Sequence, residues 1–395
     1  MSTHFVTASG TGSTKASIEG VFSRALSGLP ETQTKVNFGL IFGTPGQDLK
    51  EALAIAKACC PEADFVASGI TTTFTERGVA PDGIVVALVA GDELYHRTGR
   101  SVTIGNNPDD GGKQLAAEFA DGANEARRRG LAASVTILLI DGFAPIEAVV
   151  EATRRNTRSF QLIVGGGVGD ATSVPKPTAV GLNGTVTMNG AIALHVFSKK
   201  GWGIGVAHGM TPVTPRFTVT KSEGNVIQEL EHRPAFAVYE QFARSRGVEL
   251  TPEAAPMFLI QHELGLCFFD DVHKVRVPFG AGPNGSLICG GVIPEQSQVA
   301  IMKGEPKELV RAARGAAAEA FNALNDARPA GVLVFSCVCR GMILGKTYGE
   351  EIDAIREVFP GIPIAGFQSC GEIARYKGRL DGVHNATVVV VAVPE

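Results

Sequence analysis

Apolar positions along the chain switch repeatedly between a 3.6-residue and a two-residue period, and the order of the switches recurs three times. The first series predicts a helix over residues 15–28, a strand over Val36 to Phe42, a helix on "QDLKEALAIAKACC", a strand on "DFVASG" and a last strand on "GIVVALVAG". The second predicts a helix from Lys113 to Arg129, a strand on "SVTILLIDG", a helix on "PIEAVVEATRR", a strand on "FQLIVGGG" and extended segments after it. In the third, "KELVRAARGAAAEAFNAL", "GVLVFSC", "GEEIDAIREVF", "IPIAGF" and "ATVVVVAV" repeat the order. Each series is a helix-strand-helix-strand-strand unit, and such repetition reads as internal duplication. Glycine or proline punctuates each first loop, at "GTPGQD", "DGFAPIE" and "CRGMILGKTYGEE".

Residues 178–300 have a different character. Turn signals "LNGT", "MNGA", "SEGN" and "PNGS" separate alternating runs such as "AIALHVF", "RFTVT" and "VIQELE", the pattern of β-hairpins. One helix, "PAFAVYEQFARS", interrupts them. The expected fold is therefore α/β (α+β), with repeated units and a hairpin-rich antiparallel middle section forming a platform that the helical units cover. The stretch from Thr251 to Pro256 is a candidate boundary between a domain at 30–250 and one at 251–395.

Composition narrows the function. Hydrophobic residues make up 44% of the 395 residues and charged residues 19%, with a formal net charge of -4. That is a globular composition lacking the concentrated basic surface that nucleic acid requires. Arg127, Arg128 and Arg129 read as a solvated helix end. No apolar run approaches the length of a membrane span, and the first residues lack the charge pattern of a signal peptide. Seven cysteines without a framework spacing suit free thiols in a reducing compartment, so a cytoplasmic location is expected.

Several segments resemble a known family. "VLVFSCVCRG", "PIAGFQSCGEIA" and "VHNATVVVVAV" resemble the C-terminal FIST domain, a bacterial sensory module, and "GEPKELVRAARGAAAEAF" fits its entry. "GIGVAHGMTPVTPRFTVTKSEGNVIQELEHRPAFAVYEQF" resembles the end of the N-terminal FIST domain. Cys339, the residues around Ser369 and Cys370, and His232 after Glu231 depart from the family's usual pattern. The resemblance implies a cytoplasmic sensor of a small molecule or gas. A chain of this length with both parts looks like the subgroup that binds haem and senses nitric oxide beside histidine kinases or cyclic-di-GMP enzymes.

Haem iron needs a neutral imidazole beside an apolar slot. Of eight histidines, His208 in "GIGVAHGMTPV" is the candidate iron ligand, with glycines leaving room for a flat haem b and Trp202, Val206 and Met210 as walls. His195 and His262 read as core or edge histidines, while His4, His96, His232 and His273 read as surface residues. An alternative pocket for a small carboxylate such as an amino acid uses Arg340, whose planar fork suits a carboxylate, with Glu372, Cys337 and His384 beside it. The same Arg340 and Glu372 equally suit a structural ion pair. A third alternative is a thiol-dependent enzyme: Cys337 and Cys339, two apart on a strand, share a face and, with Cys370, could hold a soft ion or carry chemistry. "LIVGGGVGD" resembles a dinucleotide loop, but the following "ATSVPKP" cannot open the helix that would hold a pyrophosphate. No local arrangement nominates a nucleophile and base, so binding is expected rather than catalysis.

Overall fold

The three units are present, each built on a central strand buried on both faces. The computed structural model describes residues 3–33, 35–158, 161–169, 178–251, 254–269, 272–374 and 382–395. In the first unit Phe38–Gly43 pairs in parallel with Asp64–Gly69 and antiparallel with Ile84–Ala90, which pairs in turn with His4–Gly10. Ala133–Asp141 stands in the same relation to Leu162–Val168, Ala191–Ser198 and Leu94–Ser101 in the second. In the third, Pro329–Cys337 is joined by Ile364–Ser369, Val388–Pro394 and Gly203–Ala207.

A feature absent from the sequence reading completes each sheet. Every unit receives a two-stranded hairpin from another unit, so the loans form a closed cycle. The first sheet takes Ala179–Leu182 with Thr185–Met188, the second Glu372–Ala374 with Gly382–His384, and the third Thr73–Thr75 with Gly78–Ala80. Inner-facing residues of all three sheets, among them Phe38, Leu40, Val135, Ile137, Leu333 and Phe335, share one core. The outer faces are covered by Lys15–Ser27 and Leu49–Cys59, by Pro108–Leu115 and Ile146–Arg155, and by Pro306–Asn322 and Gly349–Val358.

The expected helix from Lys113 to Arg129 is two helices, Pro108–Leu115 and Phe119–Arg128. The carbonyl of Leu115, which the N–H of Phe119 would use in a continuous helix, faces the His195 Nε2 at 2.9 Å, and Phe119 bonds Ala116 instead. The hairpin-rich middle also divides. Ala191–Ser198 and the Ala179–Met188 hairpin belong to the unit sheets. Strands within residues 210–304 form a separate nine-stranded antiparallel sheet. Its core is covered by its own helices, Ala235–Ser245 and Ala255–Gln261, and not by the unit helices. Two of the three Asn-Gly turns fold as read: Asn183 and Gly184 take φ 49° and 92°, and Asn284 and Gly285 take 57° and 73°, whereas Asn189–Gly190 closes no hairpin and joins strands of two different sheets. Among the described residues no helix is long and apolar enough to cross a membrane.

Candidate functional site

The three central strands end alike. The backbone N–H groups of Thr44, Asp141 and Cys337 donate to the carbonyls of Gly83, Gly190 and Thr387 at 3.0, 3.0 and 2.9 Å, each just ahead of its unit's closing strand. Strand alternation turns all three side chains toward the shared core, where they cap one end of it. Duplication has left a hydroxyl, a carboxyl and a thiol at equivalent places. The Thr44 hydroxyl accepts from Gly83 N at 2.8 Å and donates to Gly83 O at 3.2 Å. Asp141 accepts from Phe143 N and Thr178 N, and burial raises its pKa.

Cys337 is the best equipped of the three. The Cys339 thiol, the backbone N–H groups of Cys339 and Ala386, and the Glu372 carboxyl interact with its sulfur and hold its pKa below the usual thiol value against burial. Cys339 moves the opposite way, raised by Cys337 and by burial. Glu372 is fully buried, accepting from Ser369 Oγ at 2.7 Å and Thr387 N at 3.2 Å, and burial followed by Cys337 pushes its pKa well above the carboxylate range. Glu263, from the nine-stranded sheet's side, is also fully buried. Neither of its carboxyl oxygens accepts a well-formed hydrogen bond, and burial followed by Cys337 raises its pKa well above normal. Burial therefore favours the protonated form of both acids. His384 is buried opposite Glu372 across the lent hairpin.

Ala386 closes this cluster in a left-handed conformation, φ 51°, a strained choice for a residue with a Cβ. Arg340 holds its carbonyl. The arginine is completely buried and spends its guanidinium within the protein: Nε and Nη2 reach Glu351 Oε2 at 2.9 and 2.6 Å, Nη1 reaches His208 O at 2.6 Å and Ala386 O at 3.2 Å, and Nη2 reaches Leu309 O at 2.8 Å. Its ion-pair partner is thus Glu351 and not Glu372, and no donor remains for a ligand carboxylate. The cause is placement. Arg340 turns to the outer face, toward the Pro306–Asn322 helix, whereas Glu372 faces the inner core.

The proposed haem walls do not meet. Trp202 and Val206 lie in the inner three-sheet core, and Met210 lies in the outer core under the helices of the third unit. The glycines leave room that protein already fills. A Cβ on Gly203 or Gly205 would stand 1.9 Å from the carbonyl oxygens of Ala320 and Ala316, and one on Gly209 would stand 2.7 Å from Glu308 O. His208 Nδ1 accepts from Met210 N at 3.0 Å. Burial, with the charges of His273 and Arg340, lowers its pKa to about 4. The imidazole is neutral, as a ligand must be, but these residues do not form a slot for a porphyrin.

An open cleft of about 470 Å³ lies where the end of the first central strand meets the hairpin lent by the second unit. Thr44, Gly46, Asp48, Lys50 and Gly69 line one side, and Thr178, Ala179 and Met188 the other. The helix Leu49–Cys59 starts here, with Asp48 Oδ1 capping Glu51 N at 2.9 Å.

Residues 37–233 match the FIST N domain and residues 235–375 the FIST C domain. The chain belongs to the FIST family. FIST domains are small-ligand sensor domains in signalling. An uncharacterised protein of Mycobacterium bovis is 28% identical over 216 residues, covering 51% of this chain and 53% of the relative. Another, of Mycobacterium tuberculosis, is 30% identical over 196 residues, covering 46% and 47%. The chain spans about half the length of the curated relatives it matches. Of solved structures, a chorismatase aligns over 100% of this chain and 99% of its own at 10% identity and TM-score 0.35. A cyanuric acid hydrolase aligns over 99% and 100% at 10% identity and TM-score 0.33. Likeness at that level bears on neither site nor chemistry.

Other expectations resolve within this FIST framework. Cys337 ends its strand and Cys339 belongs to the helix Val338–Leu344, so the pair does not share a strand face as expected, although both sulfurs enter one cluster. Cys370 places its sulfur over Gly169, where a Cβ would stand 2.3 Å away. Among the described residues no three His, Cys, Asp or Glu side chains are arranged to hold a metal. The glycine run of "LIVGGGVGD" admits the neighbouring backbone: a Cβ on Gly167 would stand 2.1 Å from Cys370 O. The "ATSVPKP" that follows lies outside the described residues.

His195 is the satisfied core histidine expected, bonded to Thr136 Oγ1 and Leu115 O at 2.9 Å each. His262 is likewise structural, its Nδ1 bonding Phe258 O. His232 is exposed, but His273 is buried and His96 pairs with Asp64 at 2.9 Å, so neither is a simple surface residue. Two functional neighbours were missed. Glu263 carried a signal, a lone acid inside the apolar run "FLIQHELGLCFF". So did Glu351, which shares a helix face with the buried Ile355.

Proposed function

We propose that this chain is a cytoplasmic small-ligand sensor whose ligand is a small carboxylate of the amino-acid class, held in the cleft above Thr44. The observation that carries the reading is the origin of the cleft's two walls in different units. A ligand touching both stabilises one placement of the lent hairpin over others, which is what a sensor requires. The volume suits a small molecule. Lys50 and the first N–H groups of its helix offer a carboxylate its counterpart, and Asp48 faces an ammonium group.

Binding rather than turnover is supported by Thr44, whose hydroxyl is occupied by Gly83 both as acceptor and as donor. All seven cysteines are free thiols, consistent with a reducing compartment. Output passes by surface contact to a separate partner, for which the family resemblance suggests a histidine kinase or a cyclic-di-GMP enzyme. A thermal-shift screen of the amino acids, followed by calorimetry, tests the reading. One class of amino acid should raise the unfolding midpoint, with affinity reduced at least tenfold in Lys50→Ala. No shift from any amino acid at millimolar concentration overturns it.

A further inference from the structure

We propose that Cys337 is an oxidant-reactive thiol, which reduces hydrogen peroxide and then closes a disulfide with Cys339. This goes beyond the ligand reading and concerns a different place in the molecule. The case begins with construction. A buried sulfur is ordinarily an inert apolar atom. Here a second thiol, Cys339, packs in the same small buried cluster, and Glu372, held by Thr387 N next to Ala386, lies close enough to act on the sulfur. Ala386 is kept in a left-handed conformation with Arg340 at its carbonyl. Strained backbone beside a nucleophile is a mark of a working site. The equivalent Thr44 has no such arrangement.

The chemistry balances with these groups. The Cys337 thiolate attacks one oxygen of hydrogen peroxide; an S–O bond forms, the O–O bond breaks, and the departing oxygen takes the proton of the Glu372 carboxyl and leaves as water. Sulfur is oxidised by two electrons to a sulfenic acid and the peroxide is reduced. The Cys339 sulfur then attacks that sulfenic sulfur. An S–S bond forms, the S–O bond breaks, and hydroxide leaves with the Cys339 proton as water. Residues two apart at the entry to a helix stand roughly 5.5 to 6.5 Å apart between Cα atoms, within the span of a disulfide. Cys337 and Cys339 are only 2% and 5% exposed, which limits the oxidant to one about the size of water.

Competition between thiols in the wild-type protein tests this, because Cys59 is exposed and provides an internal reference. Native protein is treated with sub-stoichiometric hydrogen peroxide or with iodoacetamide, quenched under denaturing conditions and mapped by mass spectrometry. Hydrogen peroxide should modify Cys337 at least tenfold faster than Cys59 and yield a peptide cross-linked through Cys337 and Cys339, lighter by two hydrogens. Iodoacetamide should modify Cys59 first. In C339S the reaction should stop at a sulfenic acid trapped by dimedone. The proposal is overturned if both reagents show the same order of preference, or if no Cys337–Cys339 cross-link forms.

Discussion

Removing the guanidinium of Arg340 gives the sharpest test of how the third unit is held together. Arg340→Met keeps most of the side-chain volume and removes every donor. It strands Glu351, which is completely buried and would keep only its contact with Ser336 Oγ. It also takes a donor from the carbonyls of His208, Leu309 and Ala386, which lie in three different segments. Breaking a buried pair by deleting one partner costs about 3–5 kcal/mol. Orphaned carbonyls add about 1 kcal/mol each where water cannot reach them. The sum is a large fraction of the roughly 5–15 kcal/mol that holds a typical protein folded.

The expected loss is therefore at least about 3 kcal/mol in urea unfolding followed by circular dichroism. Replacing both partners should be milder than the sum of the single changes. A cycle of Arg340→Met, Glu351→Leu and the double variant should show about 2 kcal/mol or more of coupling. If Arg340→Met lies within about 1 kcal/mol of wild type, or the cycle is additive within about 0.5 kcal/mol, the keystone role assigned to Arg340 is wrong.

Other consequences are quicker to check. Burial lowers the pKa of His195 from 6.5 to about 4, so folding favours the neutral ring. The stability this represents is fully present above about pH 6.5 and is lost as pH falls toward 4, up to about 3 kcal/mol; His195→Gln should flatten that limb of an unfolding-versus-pH curve, and an unchanged limb would count against it. Gly203→Ala places a methyl 1.9 Å from Ala320 O and should cost about 1–3 kcal/mol in thermal or urea unfolding, whereas Gly315→Ala, which meets nothing within 4 Å, should not destabilise. Reconstitution with haem should give no Soret band that depends on His208; a stable band abolished in His208→Ala would refute the account of that region.

What could be read from the sequence follows from what is local. The central strands and covering helices, such as Phe38–Gly43 and Pro306–Asn322, announce themselves by period, and the Asn-Gly turns by backbone chemistry. The lent hairpins do neither. Thr73–Thr75 and Glu372–Ala374 are three residues long, too short to show a period, and their partners are remote: Thr73 Oγ1 donates to Gly366 O, 293 positions away. Glu372 was expected as the partner of Arg340 because both follow strand ends, although Glu351 is the nearer acid in the sequence, 11 positions away. The two leave the same strand ends toward opposite faces, and the choice of Glu351 depends on where a helix one layer out is packed. The glycines around His208 were a sound signal given the wrong occupant. Small residues report that something comes close, and here it is the backbone of the helix Pro306–Asn322.

The cyclic loan of hairpins also explains why the chemistry sits at the seams. A hairpin lent to another unit starts beside the end of its own unit's central strand. Thr178 N reaches Asp141 within the second unit, where the chain leaves for the first sheet, and Glu372 joins Cys337 within the third, where it leaves for the second. A change at either seam is felt in two units at once, because each hairpin is covalently part of the unit that lends it and hydrogen-bonded into the sheet that receives it. The cleft beside Thr178 and the thiol cluster beside Glu372 are thus two places on one ring of exchanged strands. Duplication followed by divergence at Thr44, Asp141 and Cys337 has given that ring one open seam, suited to a ligand, and one nearly closed seam, suited to groups that the protein supplies itself and to an oxidant small enough to enter.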